Sequence, residues 1–194
     1  MRIAFFSTKP YDRIWFEPMG KDYGYDMHFI EAPFNEETVT LAKGHDAVCI
    51  FVNDSVTAGM IDQMCDMGIK ALLLRSAGFN HVDIHAAKGR IPVLRVPSYS
   101  PEAVAEYAMA MLLTVNRYTH KAYNRTRDFN MNINGFIGTD LNHKVAGVVG
   151  TGKIGQAMIR IFKGFNMQVL AYDPYPKPNL DVRYVSLEEL MEKA

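Results

Sequence analysis

The stretch KVAGVVGTGKIGQAMIRIFKGFNMQVLAYD, residues 144–173, decides the fold of the second half of the chain. A short apolar run leads into three glycines, Gly150, Gly152 and Gly155, and an amphipathic segment of helical period follows. A second apolar run then ends on Asp173. Strand, glycine-rich turn, helix, strand and acid in this order form the pattern by which a βαβ unit binds a dinucleotide.

Each glycine has its own role in that pattern. Gly150 allows a tight turn, Gly152 lets the backbone approach a pyrophosphate, and Gly155 lets the helix lie close to the strand. The phosphates would lie at the helix N-terminus, where free N–H groups and the helix dipole favour an anion. Asp173 is placed to accept hydrogen bonds from a ribose diol and to repel a 2′-phosphate, so NAD is favoured over NADP. The alternative is a glycine-rich β–α turn that binds no ligand.

Composition excludes several classes of partner. The 194-residue chain has 21 lysines and arginines against 21 aspartates and glutamates, which leaves no basic excess for nucleic acid or a membrane surface. Its longest uncharged apolar segment, 107–115, is too short to span a bilayer. Cys49 and Cys65 both lie in apolar runs, which indicates reduced thiols rather than a disulfide. Because the N-terminus opens with a strand and has no signal-peptide core, the sequence predicts a cytoplasmic protein.

Residues 1–99 contain short apolar runs separated by segments of helical period. These runs predict five strands, at 3–7, 27–30, 47–52, 71–74 and 93–96. One helix is predicted after Asn35, ending near Gly44, and another from Thr57 to Met67. Since the runs lack strict alternation, they indicate a parallel sheet covered on both faces. This part of the chain is therefore predicted to form an α/β doubly wound domain of its own.

Residues 100–194 begin with a strong helix start, because Ser100 is a good N-cap and Pro101 a good first helical residue. The predicted helix continues as far as Asp128, and its first half is apolar nearly all round, which predicts burial on most sides. It is either a domain-linking or dimer-forming helix, or an ordinary core helix. Beyond residue 173 only a weak strand, 182–185, and a short helix, 187–193, are predicted. A complete dinucleotide domain has about six strands, so the Rossmann domain predicted here is incomplete.

Several stretches resemble the D-2-hydroxyacid dehydrogenase family. They are LRSAGFNHVDI at 74–84, VPSYSPEAVAEYA at 96–108, GVVGTGKIG at 147–155 and AYDPYP at 171–176. Three further stretches narrow the resemblance to the fermentative D-lactate dehydrogenase branch, namely STKPYD at 7–12, AVCIFVND at 47–54 and NRTRD at 124–128. The resemblance covers the whole chain in the family's order. It implies a flavodoxin-like substrate domain at 1–99, a Rossmann domain for NAD at 100–194, an active site in the cleft between them, and a homodimer formed through the helix that starts at Pro101.

The resemblance also implies site residues. Backbone N–H groups at Ala77 and Gly78 would hold the carboxylate of a 2-oxo or 2-hydroxy acid, and Tyr99 would lie beside that substrate. Lys153 and Ile154 would offer backbone to the pyrophosphate, and Asp173 would contact the adenosine ribose. Together with the glycines of the turn, Gly150, Gly152 and Gly155, they make up the expected cofactor-binding residues. The alternatives are a strand-to-helix turn that needs a small residue at Gly78, and ordinary packing for Tyr99.

The catalytic residues have no counterpart in this chain. Hydride transfer to a 2-oxo acid needs a proton donor at the carbonyl and a cation for the carboxylate. In the family an arginine, a glutamate and a histidine do this work, and all three are expected beyond residue 194. Among possible substitutes, His81 and His85 flank Asp83, but a polar helix start explains this group better than a metal site. Arg75 would help to polarise the substrate loop. The remaining histidines lie in no recognisable motif, namely His28, His45, His120 and His143.

Two functions therefore remain open. The first is an NAD-dependent D-lactate dehydrogenase that converts pyruvate and NADH to D-lactate, of which this chain is an N-terminal portion that is inactive alone. The second is a truncated, non-catalytic paralogue that acts as a nucleotide-binding or dimerisation module.

Overall fold

The computed structural model describes residues 1–194, which form two compact units, Met1–Tyr99 and Ser100–Ala194. The first unit contains strands β1 Arg2–Phe5, β2 Asp26–Phe29, β3 Ala47–Ile50, β4 Ala71–Leu74 and β5 Val93–Arg95. Its helices are α1 Pro10–Asp22, α2 Ala58–Asp66 and α3 Ile84–Ala87, with a single 3-10 turn at Val39–Ala42. The second unit contains strands β6 Val145–Val149, β7 Gln168–Tyr172 and β8 Arg183–Tyr184, and helices α4 Pro101–Arg117, α5 Thr119–Arg127, α6 Lys153–Gly164 and α7 Leu187–Lys193.

The sheet of the first unit is parallel throughout, in the order β2-β1-β3-β4-β5. This is the flavodoxin-like order. After β2 has been added on one side of β1, the later strands are added on the other side, so the topological switch point lies between β1 and β3. Strand β3 is buried along its whole length, as expected for a central strand covered on both faces. One face packs on a core that includes α2 and the 3-10 turn, and the other packs on Phe16 of α1. The predicted flavodoxin-like doubly wound domain is confirmed.

One carboxylate joins the amino ends of three strands in this sheet. Asp46, just before β3, accepts hydrogen bonds from the backbone N–H of Arg2 at 2.8 Å and from Nζ of Lys70 at 2.6 Å. The hydrogen bond from Lys70, followed by that from Arg2, lowers the pKa of Asp46 from 3.8 to about 2. The group therefore binds its proton more weakly in the folded chain than in the unfolded chain.

We expect Asp46→Asn to change the pH dependence of stability. Because the folded pKa lies below the unfolded one, the carboxylate stabilises the fold above pH 4 and loses that contribution as the pH falls toward 2. The wild-type melting temperature should fall more steeply over this interval than that of Asp46→Asn, with little difference in the slopes above pH 5. Parallel slopes below pH 4 would show that Asp46 contributes nothing through its charge.

In the first unit one predicted helix was wrong and one helix was missed. The helix predicted after Asn35 is only the 3-10 turn Val39–Ala42, because the Asn35 side chain accepts from the N–H groups of Glu37 and Thr38 and so holds a turn. Helix α1 was missed, since Pro18 and Gly20 lie inside it. One local signal for it was present: Pro10 is its first residue, and the side chain of Asp12 accepts a hydrogen bond from the N–H of Lys9 at the N-cap.

The second unit is built on a three-stranded parallel sheet, β6-β7-β8. Helix α6 connects β6 to β7 and buries Ala157, Ile159 and Phe162. Helix α7 begins after the N-cap Ser186 and packs against the sheet through Leu190. The predicted strand–glycine turn–helix–strand unit and the weak third strand are all present. The parallel sheet has half the strands of a complete dinucleotide domain.

The helix predicted from Pro101 to Asp128 differs from the prediction in two respects. It is interrupted at Tyr118, whose φ of 53° lies in the left-handed region, so that α4 and α5 are separate helices. The predicted burial on most sides is also wrong, because Ala105 and Met109 are its only buried residues in this chain. The apolar side chains on the rest of α4 are exposed or half-buried. No helix in either unit combines the length and apolar character needed to cross a bilayer.

Candidate functional site

The three glycines of the β6–α6 turn have three different steric surroundings. Gly150 has a φ of +90°, which L side chains rarely adopt. A Cβ on Gly155 would lie 2.0 Å from the carbonyl oxygen of Gly150, so no side chain fits there. A Cβ on Gly152 would meet nothing within 4 Å. Packing therefore does not require glycine at position 152, and the open space above Gly152 is available to a ligand.

The first turn of α6 presents unpaired backbone donors. The N–H groups of Gly152, Lys153 and Ile154 donate to no group of the chain, and the N-cap Gly152 has no capping side chain. Such free N–H groups, together with the helix dipole, favour a bound anion. Open space above Gly152 and three free donors suit the pyrophosphate of a dinucleotide.

Asp173 follows β7 directly and lies against the same turn. Its Oδ2 accepts hydrogen bonds from the backbone N–H of Thr151 at 2.6 Å and from Thr151 Oγ1 at 2.8 Å, and its Oδ1 accepts from the N–H of Tyr175 at 2.9 Å. The bond from the Thr151 N–H, then that from the Tyr175 N–H, holds the pKa of Asp173 below its ordinary value. A charged carboxylate is thus placed beside the glycine turn, where the sequence predicts ribose recognition.

The loop after β4 also offers free donors. The N–H groups of Ala77 and Gly78 donate to no group of the chain. Their carbonyl oxygens are held instead, because Arg95 Nη1 donates to Ala77 at 2.8 Å and Ser76 Oγ donates to Gly78 at 2.8 Å. The loop is therefore fixed through its acceptors while two adjacent donors stay free, an arrangement that suits a small carboxylate.

Arg75, at the start of this loop, has a structural contact that the sequence did not reveal. Its Nη2 donates to the carbonyl oxygen of Phe6 at 2.9 Å, and its guanidinium lies 4.0 Å from the centre of the Phe5 ring. Asp12 Oδ2 is 3.7 Å from Nη1. The side chain therefore ties the end of β4 to the end of β1, and it is directed at β1 and α1 rather than to open solvent.

The side chains of the other predicted candidates form no hydrogen bond with the glycine turn or with the loop after β4. The Tyr99 side chain is exposed, and its hydroxyl makes no hydrogen bond. Asp83 caps α3 by accepting from the N–H of Ala86, as a polar helix start requires. His81 keeps a buried, unpartnered Nε2, and burial lowers its pKa. No three His, Cys, Asp or Glu side chains come close enough to one another to hold a metal ion.

Sequence reasoning missed two hydroxyl groups beside Asp173. Thr151 is wholly buried, and Oγ1 of Thr151 accepts a hydrogen bond from Tyr184 on β8 at 2.9 Å. The position of Thr151 between two glycines of the turn was a usable signal. No local signal marks Tyr184, because the pairing of β8 with β7 places it there.

Comparison with known proteins identifies relatives of both units. Residues 3–145 match the family model described as "D-isomer specific 2-hydroxyacid dehydrogenase, catalytic domain". Residues 109–194 match the model described as "D-isomer specific 2-hydroxyacid dehydrogenase, NAD binding domain".

Individual proteins align over the full length of the chain. The D-lactate dehydrogenase of Escherichia coli K12 is 46% identical, with 100% of this chain and 60% of that protein covered, and a 2-hydroxyacid dehydrogenase homolog of Haemophilus influenzae gives the same three figures. The apo structure of the E. coli enzyme superposes with a TM-score of 0.93 at 45% identity, covering 100% of this chain and 63% of that one. A Lactobacillus jensenii D-lactate dehydrogenase with NAD⁺ gives 0.76 at 28% identity, covering 100% and 60%. The chain thus spans about 60% of the length of these curated relatives.

Proposed function

Because the chain belongs to the D-2-hydroxyacid dehydrogenase family, we propose that it acts as part of an NAD-dependent D-lactate dehydrogenase, which reduces pyruvate to D-lactate with NADH. NAD is the cofactor of the domain family that residues 109–194 match. The observation that carries the proposal is the pair of free N–H groups at Ala77 and Gly78, in a loop that is fixed by hydrogen bonds to the carbonyl oxygens of the same two residues. The choice of lactate rests on the E. coli relative, which bears the name D-lactate dehydrogenase.

The residues of this chain would bind and orient the reactants. When bound, NADH supplies the hydride. The free N–H groups of Gly152, Lys153 and Ile154 would hold the pyrophosphate, and the charged Asp173 would accept from the adenosine ribose and repel a 2′-phosphate. The N–H groups of Ala77 and Gly78 would hold the substrate carboxylate.

Proton transfer to the substrate carbonyl is not assigned to any residue of this chain. The reaction needs a donor whose pKa lies near the working pH. His81, the histidine next to the substrate loop, has a lowered pKa and a buried ring nitrogen, so it is a poor donor. We propose that the 194 residues alone bind NADH but do not turn over, with the proton donor supplied by a segment corresponding to the remainder of the relatives.

A chimaera with the E. coli enzyme tests this proposal. Residues 1–194 would replace the corresponding segment of that protein, and the decrease of NADH absorbance at 340 nm with pyruvate would be followed alongside the 194-residue chain. We expect turnover to D-lactate by the chimaera and none by the chain alone. A chimaera carrying Gly155→Val serves as the inactive control.

The other outcomes separate the alternatives. Turnover by the chain alone would show that a catalytic group within it has been overlooked. A folded chimaera that binds NADH but leaves pyruvate unchanged would favour the second candidate function, a non-catalytic nucleotide-binding or dimerisation module. The exposed apolar residues of α4, described next, are the specific observation in favour of that candidate.

We also propose that the protein is a homodimer formed through α4. Tyr107, Met111 and Val115 are spaced four residues apart and so share one helix face, and they are 70%, 46% and 61% exposed. An apolar stripe of this size on the exposed face of a helix is typical of an interface with another chain. A second copy is the simplest occupant, because most soluble oligomers are symmetric homo-oligomers.

Val115→Glu should weaken this dimer by about tenfold or more, because it places a charge within the apolar stripe that the second copy would cover. Ile14→Glu is the matched control, since Ile14 is a β-branched residue with 65% exposure on α1. Sedimentation equilibrium of the wild type and both variants gives the dissociation constants. A wild-type chain that stays monomeric at about 100 μM, weaker than a typical specific dimer, would contradict the proposal.

A cytoplasmic location belongs to the same proposal. Cys49 and Cys65 are both free, and burial raises the pKa of the Cys49 thiol to about 12, so that it stays protonated and unreactive. Recovery of the protein from the periplasmic or secreted fraction of its source cells would contradict this location.

A further inference from the structure

A closed chain of hydrogen bonds connects Asp173 to β8. Tyr184 OH lies 2.9 Å from Thr151 Oγ1, which lies 2.8 Å from Asp173 Oδ2. At the far end, the backbone N–H of Lys177 donates to Tyr184 OH at 3.1 Å. Residues 173–177 follow β7 and are therefore held at both ends. Asp173 is bonded to Thr151 of the glycine turn, and Lys177 is bonded to Tyr184 of β8.

The direction of each bond in this chain follows from donor counting. The Asp173 carboxylate only accepts, so the single hydroxyl proton of Thr151 must point to it. Thr151 Oγ1 must then accept the hydroxyl proton of Tyr184, whose oxygen is left to accept from Lys177. Every hydroxyl proton has one possible position, and the network holds the carboxylate in one orientation.

The two carboxylate oxygens are used unequally. Oδ2 of Asp173 accepts two hydrogen bonds, both from Thr151, while Oδ1 accepts one, from the N–H of Tyr175. A carboxylate oxygen has two lone pairs available for hydrogen bonds. Oδ2 is thus saturated by the protein, and Oδ1 keeps one lone pair for an outside donor.

We propose that Thr151 and Tyr184 are positioning residues for cofactor recognition. Thr151 saturates Oδ2 of Asp173, Tyr184 holds the Thr151 hydroxyl in place, and Oδ1 is left as the single acceptor for the 2′-hydroxyl of the adenosine ribose. This inference rests on the proposed role of Asp173 in binding the ribose. Neither hydroxyl contacts the cofactor in this scheme. Thr151 is completely buried, so it acts only through the carboxylate that it holds.

Removing either hydroxyl should weaken ribose recognition without removing the acceptor. In Thr151→Val the carboxylate keeps the backbone N–H but loses the side-chain donor. In Tyr184→Phe the Thr151 hydroxyl oxygen loses the donor that holds it in place. We expect Thr151→Val and Tyr184→Phe to weaken NADH binding about three- to tenfold, the range for one hydrogen bond in such a network. Thr151→Ser retains the hydroxyl and should bind within about twofold of the wild type, the residual difference being one methyl group.

The experiment is a fluorescence titration of the 194-residue chain and these variants with two ligands. One is NADH, and the other is NADH that lacks the 2′-hydroxyl of the adenosine ribose. If Thr151 acts through Asp173 on that hydroxyl, the effect of Thr151→Val seen with NADH should disappear with the deoxy ligand. Circular dichroism and the melting temperature of each variant verify that it is folded, and Tyr184→Phe provides a second variant at a half-buried position.

Two results would overturn the inference while leaving NAD binding intact. One is an equal loss of affinity for both ligands, which a general disturbance of the turn produces. The other is wild-type affinity in both Thr151→Val and Tyr184→Phe. Failure of the wild-type chain to bind NADH at all would instead refute the proposed cofactor role of these residues, and the inference with it.

Discussion

Gly152→Ala is expected to weaken NADH binding about a hundredfold while leaving the stability of the chain unchanged. A Cβ at this position meets no protein atom within 4 Å, and the backbone φ of −63° is accessible to alanine. The added methyl group would occupy the space through which a pyrophosphate reaches the free N–H groups of Lys153 and Ile154. Loss of two charge-assisted hydrogen bonds at about 1.5 kcal/mol each accounts for the size of the effect. Fluorescence titration and thermal unfolding measure the two quantities separately.

Two other glycines provide the contrast for this prediction. Gly155→Ala should lower both affinity and melting temperature, because its Cβ would lie 2.0 Å from the carbonyl oxygen of Gly150. Gly164→Ala, in the last turn of α6 with nothing within 4 Å, should bind normally and gain up to about 1 kcal/mol of stability from helix propensity. If Gly152→Ala binds NADH as the wild type does, the pyrophosphate does not lie on this turn.

The largest loss of stability is expected for Asp54→Ala in the first unit. The Asp54 side chain is almost completely buried and accepts from Ser7 Oγ at 2.6 Å, from the N–H of Phe34 at 2.9 Å and from the N–H of Phe51 at 2.6 Å. Alanine would leave these donors buried without an acceptor. We expect a loss of about 3–5 kcal/mol in the free energy of unfolding, because each buried donor left without an acceptor costs about 1–3 kcal/mol.

Urea denaturation followed by circular dichroism measures this loss. Asp62→Ala is the matched control, because Asp62 forms only an exposed ion pair with Arg90 at 2.7 Å, and such pairs contribute about 0–1 kcal/mol. A loss below about 1 kcal/mol in Asp54→Ala would mean that water replaces the carboxylate at all three donors.

Elements with strong local signals were predictable from the sequence. Helix α7 begins after a serine N-cap, and its predicted bounds agree with Leu187–Lys193. Strand β4, a short apolar run before a loop, agrees with Ala71–Leu74. Helix α1 was not predictable in the same way, because Pro18 and Gly20 contradict a helix locally. Tertiary packing overrides that preference, since Phe16 of α1 covers Phe5 of the sheet.

The residues of the candidate site also differ in whether local sequence was enough to predict them. The identity of the three glycines and of Asp173 was visible because each is set by local geometry within one βαβ unit. The Thr151–Tyr184 contact was not visible, since it joins residues 33 positions apart and depends on the parallel pairing of β7 with β8. Likewise, only the structure showed that the N–H groups of Ala77 and Gly78 are free and that Arg95 reaches their loop from β5 to donate to the carbonyl oxygen of Ala77.

By itself, the sequence determined which type of unit each half of the chain forms, because apolar period, helix caps and the glycine turn act over a few residues. The tertiary structure alone decided which apolar faces stay exposed, as on α4, and which donors and acceptors stay free beside the two loops. The physical reason is that burial and hydrogen-bond satisfaction depend on groups distant in the chain, and no local pattern reports whether such a group will arrive.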